Sequence, residues 1–247
     1  MYYFKNNILK FSILKKYPSV KAGLSTKHLG NMGFKNQSSP TAMYAKRKNL
    51  FNNAGLNYHN SVFQYQMHTN NIKYVTTKQC GMGLKNEETS IPNNDGLITD
   101  KKNVILCVIV ADCTPVYLYD TEHKVIALLH SGRKGTEQNI VKNAINFMKT
   151  EFQTNPRQIL SILGPSIYPN HYQINREIAK KFNWIGCKKI ENRIYLDIKF
   201  NIKKQLKNAG VTDIHSIDIC TYEDENFYSY RQQGKLHGSN LGFMTLQ

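Results

Sequence analysis

Short apolar runs separated by polar turns fill the middle of the chain and predict the strands of a sheet. The longest run covers residues 104–111 and indicates a strand buried on both faces. The next two runs, 116–119 and 125–129, are joined by a short polar segment, which predicts a hairpin. Before them, apolar residues at helical spacing predict a helix from about Pro40 to Ala54, ended by Gly55.

Helices and strands alternate in the second half of the chain. A helix with an apolar face is predicted beyond Thr136, which we expect to be its N-cap. Further elements are predicted at 159–163 (strand), 175–182 (helix), 193–196 (strand) and 198–209 (helix). Because hairpins occur among these alternating elements, we expect the α+β class with mixed sheets. Neither a repeat nor a long linker interrupts the pattern, so we expect one domain over residues 1–247.

The charge balance is strongly basic. Lys and Arg number 33 against 17 Asp and Glu, which gives a net charge of +16, and such a field attracts anionic partners. Most of these cations are lysines, scattered through a sequence that is also rich in Asn and Ile, as biased codon usage in an A/T-rich genome would produce. We therefore disfavour nucleic acid as a partner, although the same field would attract a small anion such as phosphate.

The sequence of the N-terminus, the length of the apolar runs and the number of cysteines indicate the cellular location. Lysines interrupt the apolar groups of residues 1–17, so a secretory signal is not indicated. The run 104–111 is far below the roughly 20 residues that cross a bilayer, so we expect a cytoplasmic protein with no membrane partner. The five cysteines are odd in number and lack a C-x-x-C pair, which disfavours a disulfide framework. They are Cys80, Cys107, Cys113, Cys187 and Cys220.

Three residues of metal-ligand type lie at the ends of predicted strands. His68, Cys113 and His130 are far apart along the chain, but strand ends can converge at one edge of a sheet. Two imidazoles and one thiolate match a catalytic zinc site, in which three protein ligands leave one position for water or substrate. The spacing fits no local zinc motif, so the pattern alone is only weakly specific.

Other chemistries fit the same residues. One alternative is a single copper ion held by this set, with Met67 or Met82 as a weak axial ligand. Multicopper chemistry is disfavoured, because it needs clustered imidazoles and the six remaining histidines each stand alone in the sequence. A metal-free hydrolase with Cys113 as nucleophile and His130 as base, acting on amide or peptide bonds, is a second alternative. A noncatalytic nucleic-acid-binding module is a third.

Seven short motifs occur in an order that resembles one known family. They are Gly23-Leu-Ser-Thr-Lys-His-Leu-Gly30, Gln66-Met-His68, Asp95-Gly-Leu-Ile-Thr99, Ala111-Asp-Cys-Thr-Pro-Val116, His130-Ser-Gly132, Gly164-Pro-Ser-Ile167 and Phe227-Tyr-Ser-Tyr-Arg231. From about Gly23 to the end, the chain resembles the laccase-domain family. Its members were formerly described as multicopper polyphenol oxidases and are now regarded as zinc-dependent purine nucleoside phosphorylases with adenosine deaminase activity.

The resemblance implies a fold, a metal and a set of substrates. It implies an α/β/β/α arrangement of layered mixed sheets, with zinc held by His68, Cys113 and His130. It also implies phosphorolysis of adenosine, inosine and S-methyl-5′-thioadenosine, and hydrolytic deamination of adenosine. A catalytic zinc lowers the pKa of a bound water, which suits attack on purine C6.

Residues outside the metal set are expected to serve the substrate. For phosphate we expect Lys27, Lys134 and Arg231, and for proton handling Asp95 or Asp112, besides Cys113 itself as a catalytic residue.

The chain departs from the family pattern at three places. The usual H-A-G-W-R-G is His130-Ser-Gly-Arg-Lys-Gly135, so Arg133 replaces the aromatic residue and Lys134 the arginine. The usual Cys-Cys-Tyr-Glu is Asn170-His171-Tyr172-Gln173, and Ser239 takes the place of a late arginine. Metal binding should survive these changes. Recognition of phosphate or base is expected to differ, because a lysine cannot reproduce a bidentate arginine contact.

Overall fold

The structure is a computed structural model that describes residues 2–247. These residues form fifteen strands and six α-helices. The strands are β1 (Tyr2–Lys5), β2 (Ile8–Phe11), β3 (Val20–Ser25), β4 (Ser61–Val62), β5 (Ile72–Tyr74), β6 (Gly96–Thr99), β7 (Ile105–Val110), β8 (Thr114–Asp120), β9 (Val125–Ser131), β10 (Ile159–Leu163), β11 (Gln173–Ile174), β12 (Cys187–Ile190), β13 (Arg193–Leu196), β14 (Asp213–Ser216) and β15 (Asn240–Leu246). The helices are α1 (Pro40–Ala54), α2 (Arg133–Glu137), α3 (Ile140–Phe152), α4 (Arg176–Lys181), α5 (Ile198–Asn208) and α6 (Tyr230–Gln233).

Most of the strands belong to two six-stranded sheets. The first has the order β1-β2-β3-β15-β7-β4, and the second has the order β14-β10-β8-β9-β6-β5. Both sheets are mixed, because the pairs β4 with β7, β10 with β14 and β5 with β6 are parallel, whereas their other neighbours are antiparallel. A small antiparallel sheet, β11-β13-β12, completes the set.

The layers follow from which faces bury apolar side chains. One cluster lies between the two large sheets and includes Leu106 of β7 and Leu128 of β9. A second cluster packs the other face of the second sheet against α3 and α5, and a third packs the first sheet against α1. The order is therefore helix, sheet, sheet, helix, which confirms the predicted α+β class with layered mixed sheets.

Local signals account for several elements. The side chain of Ser39 accepts a hydrogen bond from the backbone N–H of Ala42 to begin α1, and Gly55 ends that helix in the left-handed conformation with φ 66°. The predicted hairpin is confirmed as β8 and β9, whose side chains are buried throughout.

The predicted N-cap at Thr136 is wrong. Thr136 lies inside the short helix α2, where its hydroxyl pairs with that of Ser131 at 2.9 Å. The long helix α3 begins only after Asn139, whose left-handed φ of 62° separates the two helices. Asparagine tolerates this conformation better than most residues, a signal that the apolar periodicity does not contain.

No helix within residues 2–247 is both long and apolar enough to cross a membrane.

Candidate active site

The structure brings His68, Cys113 and His130 together. One ligand atom from each lies within 4.8 Å of those of the other two, and the centroids of the two imidazole rings are 4.8 Å apart. Strand pairing brings two of these residues together, because Thr114 opposes Ser131 and Pro115 opposes His130 in the β8–β9 ladder, so that Cys113, just before β8, is a diagonal neighbour of His130. His68 reaches the cluster from the loop between β4 and β5.

His68 adopts a left-handed backbone conformation, with φ 58°. This conformation is uncommon outside glycine and persists only where neighbouring contacts enforce it. Here the buried carboxylate of Asp95 enforces it, since Oδ2 accepts the backbone N–H groups of Met67 at 3.1 Å and of Thr69 at 2.7 Å. The two residues that flank His68 are thus fastened to one acidic side chain.

The same carboxylate orients His130. Nδ1–H of His130 donates to Oδ1 of Asp95 at 2.8 Å, which directs the other ring nitrogen, Nε2, towards Cys113. Burial would lower the pKa of His130, but the charge of Cys113 and the hydrogen bond to Asp95 together raise it to about 10. A histidine whose second nitrogen donates to a carboxylate is the usual arrangement of a metal ligand.

Cys113 is activated as a ligand by its neighbours. Burial would raise its pKa, but His130 and His68 lower it to about 6, which favours the thiolate. Gly132 makes room for this sulfur, because a Cβ at that position would lie 2.5 Å from Sγ of Cys113 and 3.4 Å from His68. The donor set, the carboxylate behind His130 and the lowered thiol pKa all fit a bound transition-metal ion.

Asp112 shapes the turn that presents Cys113. Its backbone is left-handed with φ 82°, and both carboxylate oxygens accept hydrogen bonds. Oδ1 accepts from the hydroxyl of Thr221 at 2.8 Å, and Oδ2 accepts from the backbone N–H of Arg231 at 2.7 Å. Asp112 therefore ties the C-terminal segment to the turn that carries Cys113.

The three ligands open into a cavity of about 570 Å³, within the range of small-molecule sites. The wall includes three aromatic side chains, Phe34, Tyr172 and Tyr230, and five other polar groups, Gln64, Gln66, Glu87, His237 and Ser239. Four cationic side chains also line it, Lys35, Arg133, Lys134 and Arg231. Arg231 lies with its guanidinium 5.0 Å from the centre of the Tyr172 ring.

The predicted substrate residues divide into two groups. Lys134, Arg231 and Asp112 line the cavity. Lys27 does not line it, and its ammonium lies 5.5 Å from the ring centre of Tyr228 instead. Asp95 is fully buried behind His130, so it contacts the metal ligands rather than the cavity.

Sequence reasoning missed several wall residues. Gln66 was noted only as part of a motif, yet its side-chain amide pairs in both directions with the backbone of Ile109, at 2.7 and 2.8 Å, and so fastens the His68 loop to β7. The aromatic residues carried no signal of their own, because Phe34 and Tyr172 reach the cavity from distant loops. Arg133 follows the His130-Ser-Gly motif directly, which is the signal that could have identified it.

Comparisons with known proteins identify the family of the chain. A family model described as multi-copper polyphenol oxidoreductase laccase matches residues 20–247. A protein of Clostridium acetobutylicum named purine nucleoside phosphorylase is 38% identical over 156 residues, which are 61% of this chain and 66% of that relative. Another of that name, from Campylobacter jejuni subsp. jejuni, is 36% identical over 188 residues, 75% of this chain and 77% of the relative.

Solved structures share the fold. The crystal structure of YlmD from Geobacillus stearothermophilus superposes with a TM-score of 0.93 at 26% identity, covering 98% of this chain and 96% of that one. The family model spans most of the chain, so the protein belongs to this laccase-like family, which is described as multi-copper polyphenol oxidoreductase laccase. The resemblance that the seven motifs indicated is thereby confirmed.

Proposed function

We propose that this protein is a zinc-dependent purine nucleoside phosphorylase that also deaminates adenosine. The observation that carries the proposal is the convergence of two imidazoles and one thiolate on a nucleoside-sized cavity with a cationic wall. The names of the relatives support the reaction class. As substrates we propose adenosine, inosine and S-methyl-5′-thioadenosine with phosphate, and adenosine with water.

Zinc is proposed over copper on the donor set. Two histidines and one cysteine are zinc-ligand types, and three such ligands leave the fourth position that a catalytic zinc site keeps open, whereas a mononuclear copper site with these ligands takes a weak axial thioether. Neither Met67 nor Met82 lines the cavity. A zinc ion on His68, Cys113 and His130 would supply Lewis-acid polarisation of a substrate or water oxygen.

The remaining chemistry falls to the chain's own residues. Arg133, Lys134 and Arg231 would hold phosphate, because charge-assisted hydrogen bonds to its oxygens suit both cation types. The aromatic rings of Tyr172 and Tyr230 would cover the faces of the purine. Asp112 is the cavity carboxylate beside Cys113, and we assign it proton handling at the base, while Asp95 acts as a positioning residue for His130.

One alternative has a specific observation in its favour. The thiol of Cys113, with its pKa lowered to about 6, lies next to His130, as in a cysteine hydrolase that acts on amide or peptide bonds. Metal dependence separates the two hypotheses. Zinc bound to the thiolate would inhibit a cysteine hydrolase, whereas the proposed enzyme requires it.

Product analysis tests the proposal. Metal-replete protein is incubated with adenosine, with and without phosphate, alongside Cys113→Ala and the control Cys187→Ala. Cys187 lies in β12 and does not line the cavity. We expect inosine without phosphate, free adenine only with phosphate, and neither product from Cys113→Ala. Equal turnover by wild type and Cys113→Ala would contradict the proposal.

A further inference from the structure

A second cluster of metal-ligand side chains lies outside the proposed active site. It consists of His171, Cys220 and Glu223, and one ligand atom from each lies within 4.8 Å of those of the other two. His171 ends the 3-10 turn Pro169–His171, and the other two residues come from the turn after Ile219. The cluster therefore joins two segments that are distant in sequence.

Contacts around the cluster hold its side chains in place. The imidazole of His171 stacks on Tyr222 with ring centres 4.1 Å apart, and its Nε2 lies 2.6 Å from Oε1 of Glu223. The amide of Asn170 donates to the same carboxylate oxygen at 3.2 Å. Tyr222 and Asn170 lie outside the cluster, and outer contacts of this kind orient ligands in metal sites.

The sulfur of Cys220 faces this pair from the protein interior. The residue is 3% exposed, and its Sγ accepts a hydrogen bond from the backbone N–H of Tyr168 at 3.3 Å. Glu223, by contrast, is about half exposed on its side chain, and His171 is partly exposed. The cluster is thus closed to solvent on the side of the sulfur and open to solvent on the side of the carboxylate.

We propose that His171, Cys220 and Glu223 bind a second divalent transition-metal ion of the zinc type, with water in the remaining position. A thiolate with an imidazole selects such ions over magnesium and calcium, which prefer all-oxygen sites. Binding replaces the hydrogen bond between Nε2 of His171 and Glu223. The thiol proton of Cys220 is released to solvent and the imidazole proton of His171 is transferred to Nδ1, so that Nε2 becomes the ligand.

This ion stabilises one wall of the cavity. Tyr172, which follows His171, lines the cavity, and Thr221, which follows Cys220, donates to Asp112 beside Cys113. An ion between the two segments would cross-link them behind the active site. The role is structural, and it does not depend on the proposed nucleoside chemistry.

Cobalt binding tests the second site directly. Metal-free protein is titrated with Co²⁺, and both the stoichiometry and the thiolate-to-cobalt charge-transfer absorption are measured. The proteins compared are wild type, Cys113→Ser, His171→Ala, the double variant with both of these substitutions, and Asn170→Ala. His215→Ala is the matched control, because His215 also pairs with a carboxylate, Asp213 at 2.7 Å, but is not part of a cysteine-containing cluster. Circular dichroism verifies that each variant is folded.

We expect Cys113→Ser to retain one cobalt ion with its charge-transfer band, and the double variant to lose it. His171→Ala should bind one ion fewer than wild type, and His215→Ala should bind the same number as wild type. Asn170→Ala should bind the second ion about 10- to 100-fold more weakly, because it loses the hydrogen bond from Asn170 to Glu223. A Cys113→Ser protein that binds no cobalt, or a His171→Ala protein that binds as much as wild type, would overturn the proposal. Loss of the band only in His171→Ala would instead count against the first site.

Discussion

Nδ1–H of His130 donates to the buried carboxylate of Asp95 at 2.8 Å. The other oxygen of that carboxylate accepts the backbone N–H groups on both sides of His68. One acidic side chain therefore sets the ring orientation of one histidine and the backbone conformation of the other.

Asp95→Asn should weaken metal binding at the first site. An amide has one acceptor oxygen, so its NH2 group would face either the His130 donor or the N–H groups of Met67 and Thr69. We expect about 10- to 100-fold lower metal affinity, measured by competition with a chromophoric chelator. Asp100→Asn is the control, since Asp100 pairs with Tyr74 and Lys101 instead. Equal affinities of the two variants would contradict the role assigned to Asp95.

Phosphate recognition should depend on the cavity cations and not on Lys27. Lys134→Ala and Arg231→Ala each remove a cation from the wall, whereas Lys27→Ala removes one that does not line it. A hydrogen bond to a charged group is worth about 1.5–3 kcal/mol, so KM for phosphate should rise about 10-fold or more in the first two variants. Deamination, which uses no phosphate, should change less. A larger effect from Lys27→Ala would contradict this assignment.

Arg47 of α1 joins the loops that flank the cavity. It is fully buried, and its guanidinium donates to the carbonyl oxygens of Met32, Gly83 and Leu84 at 2.7–3.0 Å. The group also lies between two aromatic rings, 4.3 Å from Phe34 and 4.1 Å from Phe63.

Arg47→Met should destabilise the fold. The substitution would leave buried carbonyl oxygens without a hydrogen-bond donor. This cost exceeds the free energy gained because the charge of Arg47 no longer has to be buried. We therefore expect a loss of about 2 to 4 kcal/mol in the free energy of unfolding. Urea denaturation measures it. Lys48→Met makes the same charge change on the exposed face of α1 and should cost less than about 1 kcal/mol. Similar losses in both variants would contradict the role of Arg47.

Stability should increase at alkaline pH because of Lys199. Burial, assisted by the charge of Lys203, lowers the pKa of Lys199 from 10.5 to about 8, and its Nζ donates to the carbonyl of Ile217. Between these pH values the unfolded chain binds the extra proton, so the free energy of unfolding rises with pH over that range, by about 3 kcal/mol for this group.

Lys199→Met isolates this contribution. Lys10 has a similarly lowered pKa and adds to the wild-type slope, so the difference between wild type and variant is the quantity to follow by urea denaturation. That difference should shift in favour of wild type as pH rises from 8 to 10.5. If the difference in the free energy of unfolding between wild type and Lys199→Met stays constant over this range, the pKa of Lys199 is not lowered in the folded protein and the prediction is wrong.

The layered fold and the convergence of the three candidate metal ligands could be predicted from the sequence, whereas most of the cavity wall could not. His68, Cys113 and His130 lie in short motifs at strand ends, and apolar runs such as 104–111 report burial directly. The cavity wall depends on tertiary contacts, so Phe34 and Tyr172 carry no local signal. The sequence does not show which lysines line a cavity, and only the structure shows that Lys134 lines it and Lys27 does not.

The N-terminal strands β1 to β3 and the final strand β15 show the same limit. Lys10 interrupts the apolar residues of β2 and Lys21 those of β3, and polar or small residues are interspersed in β15, so neither alternation nor a continuous run stands out. Their stability comes from pairing, because β15 lies between β3 and β7 and joins the two ends of the chain in one sheet. Such long-range pairing is not contained in local periodicity.

Stepwise return of zinc to metal-free protein tests the central claim most directly. Release of adenine from adenosine and phosphate is measured at each step in wild type, together with the number of bound zinc ions, and His171→Ala protein is the comparison in which only the first site is filled. We predict no turnover without metal and a rise in proportion to zinc until His68, Cys113 and His130 are saturated. Full turnover by metal-free protein, or inhibition as zinc is added, would contradict the account.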